Sequence, residues 1–338
     1  MHPLADKVLK GDIRAVARAC RLVDDAVEGH IELLKSLFPH TGKAWIIGIT
    51  GNPGAGKSTL TDRLIEQFRK EGKRVAVVAI DPTSPFSGGA ILGDRIRMQR
   101  HFEDPEVFIR SLATRGALGG LSRSAADVVR VLDAWGADVI LVETVGVGQD
   151  ELEITTAAHT TLVVVPPGLG DDIQAIKAGI LECADVFSVN KADREGADAT
   201  VRDLEVMIAL SGEIVSAGQH TRGHAKGTLD VAKQVVRHAK DKWVPPIQKC
   251  VASRGEGIAE LVEKLAAHRA WLEETEAGRA RKAERMRIEL TRTLRDALVT
   301  EALASLGTEV EEAAAAILRR DLDPYTASER LIARFRSR

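Results

Sequence analysis

Aromatic side chains are scarce in this chain. Tyrosine occurs once, tryptophan four times and phenylalanine seven times in 338 residues. A core built on rings is therefore excluded, and packing must rest on Val, Ile, Leu and Ala. Cysteine is scarcer still: Cys20, Cys183 and Cys250 lie far apart. That spacing excludes a disulfide framework and a Cys-x-x-Cys metal pair, and it suits a reducing compartment. Excess charge of one sign is also lacking, since 47 Lys and Arg face 49 Asp and Glu for a net −2. No global field then draws the chain to nucleic acid or to an anionic membrane. No apolar run approaches membrane-spanning length, and the N-terminal Met-His-Pro-Leu-Ala-Asp-Lys has no apolar signal core. These absences predict a bacterial-type cytoplasmic protein whose partners include neither nucleic acid nor membrane. The length accommodates one large domain with helical appendages.

What is present centres on one loop: Gly51, Asn52, Pro53, Gly54, Ala55, Gly56, Lys57, Ser58 and Thr59. The run fits G-x-x-x-x-G-K-[ST], the loop that wraps nucleotide phosphates. Ala44–Ile49 before it is a short apolar run suited to a buried parallel strand. Thr59–Lys70 after it has helical spacing, with Leu60, Leu64, Ile65 and Phe68 on one side. The glycines let backbone N–H groups turn inward at a helix N-terminus, where anions are favoured. Lys57 adds a point charge for the β- and γ-phosphates, and the Ser58 hydroxyl is a candidate Mg²⁺ ligand.

Short β runs alternate with helical stretches over residues 44–255. The predicted strands are Arg74–Ile80, Val107–Ile109, Val139–Glu143, Leu162–Val165, Val186–Asn190 and Ile247–Cys250. The pattern predicts an α/β fold, a mostly parallel sheet flanked by helices with ligands beyond the carboxyl ends of its strands. Residues 1–38 read as two amphipathic helices. One stripe is Leu4, Val8, Leu9, Ile13, Val16 and Ala17, with a break at Gly11-Asp12; the other is Val23, Val27, Ile31, Leu34 and Phe38. We expect an N-terminal helical extension over 1–40, a nucleotide-binding domain over 41–270 and a C-terminal helical arm over 271–338.

Several strand ends carry candidate chemistry. Asp81, Asp94 and Glu143 are candidate Mg²⁺ carboxylates, with Glu143 at the position of the second Mg²⁺ anchor. Gly146 can present its N–H to a γ-phosphate, so Lys57, Glu143 and Gly146 form the catalytic set. Ras-type enzymes place a water-orienting Gln directly after that glycine. Here the residue is Val147, with Gln149 two positions on, which predicts slow intrinsic hydrolysis. The Pro/Gly-rich stretch 166–172 suggests a further switch involving Lys177, with a plain connection as the alternative. Asn190-Lys191-Ala192-Asp193 follows a strand and reads guanine, because the Asp193 carboxylate accepts from N1–H and the 2-amino group. Adenine lacks that donor pair, a penalty of ~1–3 kcal/mol or more. GTP is therefore preferred. Val251, Ala252 and Ser253 follow the last strand, in a loop whose backbone can meet guanine O6.

With these residues, the chain resembles the MeaB-type GTPases. The resemblance covers at least Gly51–Asp193 and includes Asp81–Met98, Arg115–Leu121 and Glu143–Gln149. It implies a P-loop NTPase fold of SIMIBI-like type between helical extensions. It also implies a GTP/GDP cycle with Mg²⁺ that gates adenosylcobalamin loading and protects a cobalamin-dependent acyl-CoA mutase, typically methylmalonyl-CoA mutase. Carried over by position, 51–59 hold the phosphates, and Asp81, Asp94 and Glu143 surround Mg²⁺. Asn190 and Asp193 read the base, and Ala252 touches it through its backbone. Two departures stand out: Val251-Ala252 replaces the family's Ser-Ala, and 211–242, with His220, His224 and His238, looks longer than usual.

The C-terminal arm reads as helices over Gly257–Trp271, Arg281–Leu306, Val310–Leu318 and Ala327–Phe335. Leu290, Leu294 and Leu298 recur at four-residue intervals. Helices with no sheet to cover must bury such a stripe, which predicts a homodimer; packing back on the same chain is the alternative. Two other functions share the nucleotide machinery. A nickel- or other metal-delivery GTPase needs a Cys/His cluster, for which only the histidines of 220–238 offer anything. A small-molecule kinase needs a base and an acceptor pocket, and neither is identifiable. Arg95, Arg97, Arg100 and Arg115 are candidate charge stabilisers, with nothing to choose among them.

Overall fold

The structure, a computed structural model, describes residues 2–81, 98–113, 123–144, 158–168, 184–219 and 242–337. Two compact units, Met1–Ala280 and Arg281–Arg338, divide the chain. Among the described residues of the first, seven strands form one parallel sheet: β1 Trp45–Gly51, β2 Val75–Asp81, β3 Val107–Ala113, β4 Val139–Thr144, β5 Thr160–Val165, β6 Val186–Asn190 and β7 Ile247–Cys250. Their spatial order is β3-β2-β4-β1-β5-β6-β7. β1 is central, pairing Gly48 with Val142 of β4 on one side and with Thr161 of β5 on the other. The chain steps to one side of β1 for β2 to β4 and to the other for β5 to β7. The carboxyl end of β1 is thus the switch point, where such sheets bind ligands.

Alternation along the strands explains why both faces are covered. Ala76, Val78, Ile80, Ile140 and Val142 face one side, where they pack with α1 Pro3–Leu9, α2 Ile13–Asp24, α3 His30–Leu37 and α5 Arg123–Ala134. Val75, Val77, Val139, Leu141, Ile47 and Ile49 face the other, against α4 Lys57–Lys70 and α7 Ile258–Glu274. Val163, Val165, Phe187 and Val189 bury the near end of α6 Ala197–Gln219. The entry to β1 is fixed by a buried carboxylate, since Asp133 of α5 accepts from the N–H groups of Lys43 at 3.2 Å and Ala44 at 2.9 Å. As expected, the aliphatic residues and Ala make most of this core; Trp45 and Phe68 meet edge-on at 5.9 Å within it.

Two expectations shift. Three helices, not two, precede β1, and the stripe assigned to the second was out of phase. Val27 is 49% exposed and Phe38 63%, whereas Leu33 and Leu37 are fully buried. The chain turns left-handed at Ala26 (φ 47°) and at Gly29 (φ 88°). α3 therefore restarts with a new phase, which a 3.6-residue period carried across the break cannot follow. Strand β3 also runs on to Ala113 past Arg110 and Ser111, which sit at an edge where polar residues are tolerated.

α8 Glu276–Leu306 runs from the first unit into the second. The second unit also contains α9 Glu309–Leu318 and α10 Pro324–Arg336. Asp323 caps α10 by accepting from the N–H groups of Tyr325 and Thr326, both at 3.0 Å. Leu306, Val310, Ile317, Leu331 and Phe335 line an apolar groove of about 290 Å³ between these helices.

Candidate functional site

The loop 51–56 leaves β1 at the switch point and enters α4 without a side-chain cap. Gly51 (φ 134°) cannot be replaced, because a Cβ there would sit 2.0 Å from the Val164 carbonyl oxygen. Gly56 (φ 90°) is the left-handed residue before α4, and a Cβ on it would lie 2.5 Å from Asn190 Nδ2. Lys57 curls back over this nest. Its buried ammonium donates to the Gly51 carbonyl at 2.6 Å and to that of Asn52 at 3.1 Å. An ammonium held on carbonyls at the mouth of a helix is positioned to move onto an arriving phosphate.

Beneath the loop lies Glu143, fully buried at the end of β4. Ser58 Oγ donates to its Oε1 at 2.7 Å, and Thr61 Oγ1 lies 2.8 Å from its Oε2. Thr144 Oγ1 reaches Thr50 Oγ1 at 3.2 Å, joining the ends of β4 and β1. The predicted Ser58–Glu143 pair is thus brought together. Thr61, one turn along α4, was missed; only its i+3 spacing from Ser58 on the P-loop helix hinted at it.

The residues expected to read the base cluster beyond β6 and β7. Asn190 donates from Nδ2 to the Ala55 carbonyl at 2.8 Å and accepts from the Ala252 N–H at 3.1 Å. Lys191, left-handed at φ 62°, donates to the Gly54 carbonyl at 2.6 Å. Asn190 therefore staples the phosphate loop to the loop 251–253, and Lys191 adds a second tie from the end of β6 to the phosphate loop. Asp193 is exposed rather than buried, with the Arg254 guanidinium 3.6 Å away. Val251 closes its loop by bridging Glu256.

Further residues shape the same region. Arg63 of α4 donates from Nε to the Ala252 carbonyl at 2.9 Å and from Nη2 to the Ser253 carbonyl at 3.0 Å. Its Nη1 donates to Glu66 at 2.9 Å. Arg100, a candidate charge stabiliser, is instead forked onto Asp62 and reaches Glu66 at 3.0 Å, on the outer face of α4. Hydrogen bonds from Lys70 and then Arg63 hold the Glu66 carboxyl down to about 2. Burial pushes the Cys250 thiol up to about 11, so it is no nucleophile at neutral pH.

Asp81 ends β2, its backbone paired with Ala113. Asp94, Gly146, Val147, Gln149, Lys177, Arg95, Arg97, Arg115, His220, His224 and His238 lie outside the described residues. Of the Pro/Gly-rich stretch, Gly168 is described, and its N–H donates to Thr200 of α6 at 3.2 Å. Among the described residues no group of three or more His, Cys, Asp or Glu is placed to hold a metal, and no helix is long and apolar enough to cross a membrane.

Comparison with known proteins adds independent findings. A family model described as "Methylmalonyl Co-A mutase-associated GTPase MeaB" matches residues 16–306. A putative GTPase of Pyrococcus horikoshii is 47% identical over 96% of this chain and 95% of its own. GTPase ArgK of Escherichia coli is 34% identical over 75% of this chain and 72% of its own. Among solved structures, a LAO/AO transport system kinase superposes with a TM-score of 0.63 at 22% identity, covering 98% of this chain and 96% of that one. That last likeness bears on the fold, which is the P-loop NTPase fold.

Proposed function

The chain belongs to the MeaB family of methylmalonyl-CoA mutase-associated GTPases, and from that premise we propose that it is a slow GTP switch serving a cobalamin-dependent acyl-CoA mutase. In this reading it gates adenosylcobalamin loading and protects the mutase from inactivation. The observation that carries the guanine switch is the double staple from Asn190 and Lys191 to the phosphate loop. Base recognition and phosphate binding share one rigid junction, so a nucleotide is gripped at both ends.

GTP's phosphates lie along 51–59, and Lys57 exchanges its two carbonyls for the β- and γ-oxygens. Mg²⁺ fits the donor chemistry, because a hydroxyl and a buried carboxylate, both hard oxygens, already meet at Ser58 and Glu143. Ser58 would hold the ion directly, with Glu143 and the carboxylates of Asp81 and Asp94 around it; the ion neutralises charge on the phosphates. Asp193 leaves Arg254 to accept from the guanine edge. Val147 in place of a water-orienting Gln makes hydrolysis depend on what the partner supplies, with Gly146 sensing the γ-phosphate. The protein acts as a homodimer joined through its C-terminal helices, in the cytoplasm.

GTP turnover by the purified protein, alone and with candidate cobalamin mutases, tests this reading. Slow hydrolysis of GTP but not ATP, accelerated by one mutase, is expected and identifies the client. Turnover of ~1–100 s⁻¹ with no partner, or equal use of ATP, overturns it.

A further inference from the structure

The loop 251–253 has its N–H groups unequally engaged. The Ala252 N–H is taken by Asn190 Oδ1 at 3.1 Å, and the Arg254 N–H by the Val251 carbonyl at 2.9 Å. Between them stands Ser253. Its N–H belongs to the same peptide as the Ala252 carbonyl, the oxygen that Arg63 Nε holds at 2.9 Å. In a trans peptide N–H and C=O point in opposite directions, and no cis peptide occurs among the described residues. Arg63 also holds the next carbonyl, that of Ser253, at 3.0 Å. One planar guanidinium thus pins two consecutive peptides from the α4 side, and the Ser253 N–H is turned away from α4.

We propose that Arg63 is a positioning residue for base selection: by clamping the Ala252 and Ser253 carbonyls it aims the Ser253 N–H at guanine O6. The inference rests on reading 251–253 as the base loop. Arg63 itself touches no part of the nucleotide. It lies on the helix that begins at Lys57 and Ser58, so the helix that binds the phosphates also sets the donor that reads the base. Two features favour a built device over a chance contact. The hydrogen bonds from Arg63 to Ala252, Ser253 and Glu66 are all 2.9–3.0 Å long, and Glu66 is in turn held by Lys70 and Arg100. The fork geometry is also one that only Arg supplies; a lysine ammonium is a point donor and cannot hold both carbonyls in register.

The test uses equilibrium binding of three diphosphates by the full chain: GDP, 6-thio-GDP, which weakens the acceptor at position 6, and IDP, which lacks the 2-amino group read by Asp193. In the wild type, GDP is expected to bind about tenfold tighter than 6-thio-GDP and also tighter than IDP. In Arg63→Ala the preference over 6-thio-GDP falls towards unity while the preference over IDP is kept. Arg63→Lys, which preserves charge and one contact, restores part of it and serves if the alanine variant does not fold. General loosening of the site would weaken all three ligands alike and leave both ratios unchanged, and that result overturns the proposal. A wild type that binds GDP and 6-thio-GDP equally overturns it through the base-loop reading instead, so the two failures are told apart.

Discussion

Glu143 has no contact with water, so a charge on it has to be held by donors from the protein itself. Ser58 is one; Thr61 is another, equally buried. The single Thr61 proton has two acceptors in reach, the carboxylate at 2.8 Å and the Lys57 carbonyl at 3.0 Å, and the charged oxygen is the stronger one. Thr61→Val keeps the shape and removes the donor. It should lower stability by about 1–3 kcal/mol, read as a shifted urea midpoint with unchanged slope, while Thr61→Ser retains most of the wild-type value. An unshifted midpoint for the valine variant would mean that the carboxylate is held without Thr61. Ser58 and Glu143 were legible because a known motif and a strand end announce them. Thr61 and Arg63 were not: their partners lie 82 and 189–190 residues away, and no local pattern encodes a contact of that span. Asn190 was legible as a guanine-motif residue, but its staple to Ala55 emerges only when two loops meet.

α4 shows how one element serves several surfaces. Its inner face buries Leu60, Leu64, Ile65 and Phe68, which the period of 3.6 revealed. Its outer face carries Asp62 and Glu66, which gather Arg63, Lys70 and Arg100; a run of charges on a helix does not disclose which distant cation will join it. Exposed ion pairs are individually weak, but this one is a network with one shared carboxylate. Hydrogen bonds from Lys70 and then Arg63 hold the Glu66 carboxyl down to about 2 in the fold, below its ordinary 4.5. A depressed carboxyl stabilises the fold fully above the unfolded value and loses that contribution as pH falls through the folded one. Stability should therefore drop between pH 4.5 and 2, and Glu66→Gln should drop less over that window when both are melted across an acid series. Parallel profiles would assign the acid sensitivity to other carboxylates, such as Asp104 beside Arg69. Strands were the most legible elements, since β6 and β7 begin and end at the bounds expected from the sequence. The helices before β1 were the least, because a left-handed glycine resets phase without changing composition.

At the scale of the whole molecule, the α8 stripe argues for a second copy. Met286, Leu290, Leu294 and Leu298 are each about half or more exposed, and Val299 and Leu303 beside them are 52% exposed. Single exposed leucines are ordinary, whereas a row at constant spacing is not. A four-residue step overshoots a full turn by ~40°, so the row slants around the helix instead of running parallel to its axis. Ridges of that kind pack into copies of themselves at an interaxial angle near −50°, not as a straight-seamed coiled coil. The proposed dimer should thus cross at α8, with contact concentrated near Leu294 and fading towards both ends. Sedimentation of the wild type is expected at twice the 36.5 kDa chain mass, and of Leu294→Glu/Leu298→Glu at the chain mass. Met286→Glu, farther along the ridge, should weaken the dimer less than either central change. A wild type that sediments as one chain removes the dimer. A double variant still at twice that mass moves the interface off α8, and equal effects at 286 and 294 replace the crossing with a long parallel seam.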